Sequence, residues 1–68
     1  MLELSLEAKI DERVSELIKK RLLKLDDILG VEYNHISQKF LIKSRDRIGI
    51  DDIILNGLLA IGYKGKLN

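Results

Sequence analysis

The fold is decided in the middle of the chain by the stretch Val31-Glu32-Tyr33-Asn34-His35-Ile36-Ser37-Gln38-Lys39-Phe40-Leu41-Ile42-Lys43-Ser44. Apolar or aromatic side chains recur at every second position on each side of three polar residues at 37–39. A period of two is typical of a strand with one buried face. Three residues are enough to turn the chain back on itself. The stretch therefore predicts a hairpin of two strands, over residues 31–36 and 40–44.

A helix is predicted immediately before this hairpin. Apolar residues recur there at steps of three and four, which aligns them along one side of a helix: Val14, Leu17, Ile18, Leu22, Leu25, Ile28 and Leu29. Asp11 can accept hydrogen bonds from the free N–H groups at the start of this helix. Gly30 suits its end, because glycine readily adopts the left-handed conformation found just past many helices.

A second helix is predicted after the polar connection at residues 45–49. Asp51 and Asp52 suit its start, where capping and the positive end of the helix dipole both favour acidic residues. Apolar residues continue from there to Ile61, and Gly62 is expected to end the helix. Residues 63–67 then form a short last strand.

The first strand completes the order of elements, because Leu2, Leu4 and Leu6 alternate with polar residues. The order strand-helix-strand-strand-helix-strand usually closes as an α+β, ferredoxin-like βαββαβ two-layer sandwich. A four-stranded antiparallel sheet then carries two helices on one face, and the first strand is central. The other face pairs acidic residues of the first strand with lysines of its neighbours: Glu3, Glu7, Lys39, Lys43, Lys64 and Lys66.

The composition excludes several classes of function. The chain has 68 residues, 46% of them hydrophobic, and a formal net charge of +1. We therefore expect one domain over residues 1–68 and no long-range field that recruits nucleic acid or an anionic membrane. The absence of cysteine excludes disulfides and thiolate metal sites.

No nucleophile–base pair and no phosphate-binding loop is visible, so we expect no enzymatic activity and no cofactor. Neither a membrane-spanning run nor a signal peptide is visible, so we expect a cytoplasmic protein.

Two short motifs carry a resemblance to a known family. Leu29-Gly30-Val31 lies at the join of the first helix and second strand, and the second helix runs into Gly62-Tyr63-Lys64. Together with the order of elements, these motifs resemble the heavy-metal-associated domains of copper chaperones and metal-transporting P-type ATPases. The resemblance covers nearly the whole chain. It implies the ferredoxin-like fold and a setting related to metal transport.

The sequence departs from this family at the metal site. The family holds a soft cation in a Met-x-Cys-x-x-Cys loop between the first strand and first helix. Counted back from Gly30, the cysteine positions fall near Val14 and Leu17, and the methionine position falls near Glu12. The resemblance therefore implies a non-enzymatic interaction or regulatory domain without a cysteine metal site. It also implies that Tyr63 lies beside this loop, where it would border an apolar surface built by Val14 or Leu17.

The second helix is more apolar than one buried side requires. Ile53 and Leu59 are surplus to a single apolar stripe, and a glycine inside a helix costs about 1 kcal/mol relative to alanine. Such a glycine suggests the close approach of another backbone. We therefore predict that a protein partner, or a second copy of this chain, contacts the second helix at Ile53, Gly57, Leu59 and Ala60. The corner of Val14, Leu17 and Tyr63 is a second candidate for the contact surface.

The first helix offers an alternative surface. Lys19, Lys20 and Lys24 could form a basic face that binds RNA or an acidic protein. The middle of the chain supplies only Tyr33 and Phe40 for stacking on bases, so nucleic acid is not the expected partner.

Overall fold

A computed structural model describes residues 2–68, in which the two periodicities of the sequence become four strands and two helices. The elements are β1 (Leu2–Leu6), α1 (Glu12–Leu23), β2 (Ile28–Asn34), β3 (Lys39–Ser44), α2 (Ile50–Leu59) and β4 (Gly65–Leu67). The strands form one antiparallel sheet in the order β2-β3-β1-β4, which confirms the ferredoxin-like fold and the central place of β1. Within the described residues, neither helix is long and apolar enough to cross a membrane.

The core lies between the sheet and the two helices. Its fully buried side chains are Leu4, Phe40 and Ile42 from the sheet, and Ile18, Leu22, Ile54 and Leu58 from the helices. These residues recur at every second position on the strands and at steps of three or four on the helices. Burial of each such side chain is worth about 1.5–3 kcal/mol. The apolar residues that identified the helices and strands are therefore also the residues whose burial stabilises the packing of helices against the sheet.

Helix α1 begins where the sequence predicts and ends earlier. The Asp11 carboxylate accepts a hydrogen bond from the Val14 N–H at 2.8 Å, which is the predicted N-cap. At the other end, the Leu25 N–H donates to the Leu22 carbonyl at 3.0 Å, so the last turn tightens. The predicted end at Leu29 is wrong. Leu25 and Ile28 keep helical spacing, but they reach the core from a turn and from β2.

Gly30 therefore does not end a helix. It lies in β2 opposite Lys43, just after an irregularity in the register between Ile28 and Gly30. Its φ is not in the left-handed region, unlike those of Gly49 and Gly62. The expectation that Gly30 terminates the first helix is wrong, since the chain has already become a strand at that point.

The β2–β3 turn comes earlier than predicted. The side-chain oxygen of Asn34 accepts hydrogen bonds from the N–H groups of Ile36 at 2.9 Å and Ser37 at 3.2 Å. This local bonding competes with strand pairing and closes the turn, so His35 and Ile36 lie outside β2. Gln38 completes the turn in the left-handed conformation, with φ of 57°.

Helix α2 starts without a side-chain cap. Gly49 occupies the N-cap with φ of 82°, and no side chain bonds to the first N–H groups there. Asp51 and Asp52 lie inside the first turn, where they favour the helix dipole rather than cap the helix. The capping role predicted for these two residues is therefore wrong, although their place at the start of the helix is right.

The end of α2 sets the course of the chain into β4. The Tyr63 N–H donates to the Leu58 carbonyl and the Gly62 N–H donates to the Leu59 carbonyl, both at 3.0 Å. These two bonds form a Schellman motif, which needs a left-handed residue, and Gly62 supplies it with φ of 88°. Gly62 is confirmed as the residue that prevents the helix from continuing, although α2 ends at Leu59 and not at the predicted Ile61. Since Tyr63 takes part in this motif, β4 begins at Gly65 rather than at residue 63.

Charged pairs link neighbouring elements on the surface. The Lys39 ammonium lies 3.6 Å from the Glu3 carboxylate on the outer face of the sheet, as the sequence predicts. At the end of the sheet, the Asp27 carboxylate accepts a hydrogen bond from the Arg47 guanidinium, which connects the α1–β2 turn to the β3–α2 connection. That hydrogen bond, followed by the negative charge of Asp27, raises the pKa of Arg47 above its usual value.

Candidate protein-contact surface

Helix α2 has one side that faces α1. Gly57 is buried there, and a Cβ atom added to it would lie 3.6 Å from the Leu25 Cδ1. Ile53 and Ala60 lie four residues before and three residues after Gly57, so they share this side of the helix. Ile53 is half-buried and Ala60 is exposed. The close approach that the sequence suggests for Gly57 is therefore made by Leu25 of this chain, and a contact of Gly57 with a partner stays a prediction.

The other side of α2 faces β4. Leu55 and Leu59 lie four residues apart and line a depression of about 280 Å³ together with Glu7, Lys64 and Gly65. We call these five residues the α2–β4 surface. Leu59 is 52% exposed, whereas Leu55 is half-buried. The surplus leucine predicted on the second helix is thus found on this side, away from Ile53 and Ala60.

Tyr63 lies beside the same surface. It lines a second depression, of about 320 Å³, with Leu6, Glu7, Ala8, Gly62 and Lys64. Glu7 and Lys64 line both depressions, so the two are adjacent. Tyr63 therefore reaches the β1–α1 loop, as the family resemblance implies.

Val14 and Leu17, the other two residues of the predicted corner, do not share the depression beside Tyr63. Both belong to α1, in its first two turns, and not to the loop that precedes the helix. Val14 packs against the core, and Leu17 is 53% exposed.

The three lysines of the predicted basic face do not lie on one side of the first helix. The Lys19 ammonium lies 3.7 Å from the Glu16 carboxylate one turn earlier. Lys20 follows Lys19 directly, so their side chains point about 100° apart around the helix. Lys20 and Lys24 are one turn apart and share a side of α1, where both are exposed. Two of the three lysines therefore form a common face, and Lys19 lies beside a carboxylate that offsets its charge.

The residues at the family's metal positions do not fit a soft cation. Cu(I) and similar ions need thiolate or thioether ligands, and Val14 and Leu17 offer only hydrocarbon. Among residues 2–68, no three His, Asp or Glu side chains come together in a way that could hold a metal ion. The side chains of Val14 and Leu17 therefore offer no ligand for a metal ion at these positions of α1.

Comparison with known proteins supports the fold. No protein-family model and no curated protein matches this chain. The crystal structure of oxidized MerP from Ralstonia metallidurans CH34 matches it with a TM-score of 0.85 at 13% sequence identity, over 100% of this chain and 96% of that one. This chain has the fold of MerP. The resemblance to heavy-metal-associated domains is thereby confirmed for the fold, and the similarity shows the fold alone.

Sequence reasoning missed most of the α2–β4 surface. It named Leu59, but not Leu55, Glu7, Lys64 or Gly65 as contact residues. Leu55 reads as core from its spacing, and Gly65 has no side chain to suggest a role. The sequence predicted a last strand over residues 63–67, whereas β4 has three residues and leaves the apolar helix only partly covered.

Proposed function

We propose that this chain is a non-enzymatic protein-interaction domain over residues 1–68 that acts in the cytoplasm without a cofactor. The α2–β4 surface binds the partner, with Tyr63 at its end. The partner is a different protein or a second copy of this chain, and its binding gives the domain an interaction or regulatory role. The heavy-metal-associated type of fold supports a setting related to metal transport.

The exposure of Leu59 carries this proposal. The side chain is 52% exposed and lies beside half-buried Leu55 over a depression that also exposes the charged groups of Glu7 and Lys64. An apolar centre with a polar rim is the usual composition of a protein contact site. Such a leucine is a candidate for the few residues that dominate binding energy.

A selection from a random peptide library tests the proposal, because it reveals a contact surface whichever protein is the natural partner. Peptides are selected on the wild-type chain, and their affinities are then measured for Leu59→Lys and for Leu23→Lys. Leu23 is 46% exposed on α1, so it is a matched control for the loss of an exposed leucine. We expect most peptides to bind Leu59→Lys at least about tenfold more weakly, as loss of a central contact does.

The control variant decides the interpretation. Peptides that bind Leu23→Lys as tightly as they bind the wild type, but not Leu59→Lys, place binding on the α2–β4 surface. Peptides whose affinity falls equally in both variants, or in neither, would contradict the proposal. Circular dichroism of the two variants verifies that both remain folded.

A further inference from the structure

Strand β4 forms an open edge of the sheet. It is the last strand in the sheet order and pairs on one side with β1. The Asn68 N–H donates to the Glu3 carbonyl at 2.9 Å, and the Glu7 N–H donates to the Lys64 carbonyl at 3.3 Å. Because pairing groups alternate along an antiparallel strand, residues 64, 66 and 68 bond towards β1. The N–H and C=O groups of Gly65 and Leu67 therefore point towards the open edge.

Apolar residues of α2 lie beside this edge. Gly65 points its side-chain position inwards, since a Cβ atom there would lie 2.8 Å from the Leu4 Cδ1 and 3.2 Å from the Leu58 Cδ1. Leu55 and Leu59 lie beside Gly65 on the side of α2 away from α1. The four strands thus leave Leu55 half-buried and Leu59 52% exposed. A strand added outside β4 would lie under Leu59.

The outer face of β4 carries positive charge at this edge. Lys66 is exposed and pairs with Ser5 across the sheet, so no carboxylate lies opposite it on β1. Among residues 2–68, Lys66 forms no ion pair within 4.0 Å. A carboxylate on a further strand would lie next to Lys66, and opposite charges on neighbouring strands are favourable.

Strand β1 shows the type of sequence that β4 accepts on its paired side. Its Leu4 and Leu6 lie opposite Leu67 and Gly65 on the inner face. Glu3 alternates with these leucines and lies on the outer face beside Lys39, and Glu7 follows directly after β1. A segment that alternates apolar and acidic residues in this way would satisfy both faces of β4.

We propose that β4 accepts a fifth strand from a partner protein, in the form of an extended segment in which apolar and acidic residues alternate. The backbone of this segment bonds to Gly65 and Leu67, its apolar side chains lie under Leu55 and Leu59, and a carboxylate lies beside Lys66. Strand addition of this kind takes affinity from the backbone and specificity from alternate side chains. This inference rests on the proposed function, since it names the partner of the α2–β4 surface.

Two alternatives fit less well. The other edge strand, β2, has an irregular register at Ile28 and Gly30, and such bulges protect an edge from pairing. A second copy of this chain could pair β4 with β4. If Gly65 and Leu67 both formed hydrogen bonds in that pair, Lys66 would lie directly opposite its own equivalent, and two like charges would repel.

A synthetic peptide with the sequence of residues 2–7, Leu-Glu-Leu-Ser-Leu-Glu, tests the inference when it is titrated into the isotope-labelled chain and followed by NMR. We expect the amide signals of Gly65 and Leu67 to shift and their hydrogen exchange to slow. A peptide with both glutamates replaced by lysine should bind at least about tenfold more weakly. Lys66→Glu should reverse this preference, while Lys43→Glu, which changes an exposed lysine elsewhere on the same face, should leave it unchanged.

Peptides methylated on the backbone nitrogens that face β4 separate this inference from the proposed function. If they bind as tightly as the unmodified peptide, strand addition is overturned, although the α2–β4 surface remains a contact site. Signal shifts confined to α1 or β2 overturn both. If Gly65 and Leu67 are already protected without peptide and the chain sediments as a dimer, a second copy occupies the edge and the foreign segment is excluded.

Discussion

Two glycines of the sheet, Gly65 and Gly30, look alike in the sequence but have different surroundings. A Cβ atom at Gly65 would overlap Leu4 and approach Leu58, at 2.8 and 3.2 Å. At Gly30 the nearest atom is the Lys43 Cβ, at 4.0 Å, which is ordinary contact. The sequence predicted a role for Gly30 at a helix end and none for Gly65. Close packing of this kind depends on which side chains meet across elements, and spacing along one element does not contain that information.

We expect Gly65→Ala to lower the free energy of unfolding by about 1–3 kcal/mol, because the methyl group forces core leucines from their places. Gly30→Ala should change it by less than about 0.5 kcal/mol or raise it slightly, since the site has room and ordinary backbone angles. Urea unfolding of both variants measures the difference. An equal loss in the two variants would contradict this account of the β4 strand.

At the scale of elements, the order and type of all six could be predicted, while several boundaries could not. The period of the apolar residues identifies a helix or a strand, but it does not show where hydrogen bonding stops. Leu25 and Ile28 continue the helical spacing beyond the end of α1, since a turn and a strand bring them to the same core. Strand β2 also ends earlier than the apolar period predicts, because the Asn34 side chain accepts hydrogen bonds from the turn that follows. The spacing of apolar residues gives no sign of these hydrogen bonds.

The two helix starts provide a test at this scale. Asp11→Ala should lower the free energy of unfolding by about 1 kcal/mol, because it removes the acceptor of the Val14 N–H. Asp51→Ala should lower it by only about 0.3–1 kcal/mol, since Asp51 acts on the helix dipole and caps nothing. Urea unfolding at low salt and in high salt separates the two effects, because salt screens the dipole interaction. If the effect of Asp11→Ala is the one that salt abolishes, the assignment of the caps is wrong.

At the scale of the whole molecule, the fold could be predicted because independent features of the sequence favour the same arrangement of helices and strands. The apolar period and the cross-strand charges both favour the same sandwich, and the outer-face pair of Glu3 and Lys39 is found as expected. The contact surface could be predicted only in part. Leu59 is surplus on its own helix, but the surface also needs the short β4 and the loop after β1, which lie far away in sequence.

Sedimentation across a dilution series tests how this molecule associates. We expect the wild-type chain to remain a monomer, because Lys66 protects the open edge of β4. Lys66→Val removes this protection and should give a dimer whose population rises with concentration, whereas Lys43→Val should not. If the wild type is instead a dimer and Leu59→Lys a monomer, the α2–β4 surface joins two copies of the chain.

The pairing of β1 with β4 brings the beginning and the end of the described chain side by side, with the Asn68 N–H bonded to the Glu3 carbonyl at 2.9 Å. A domain whose first and last strands are neighbours can be placed within a loop of a host protein without pulling the loop apart. It can also be circularly permuted, with a short linker from β4 to β1 and the chain opened at Ile36, which is 98% exposed. This domain can therefore be inserted into other proteins as a folded unit in which the β4 edge stays exposed.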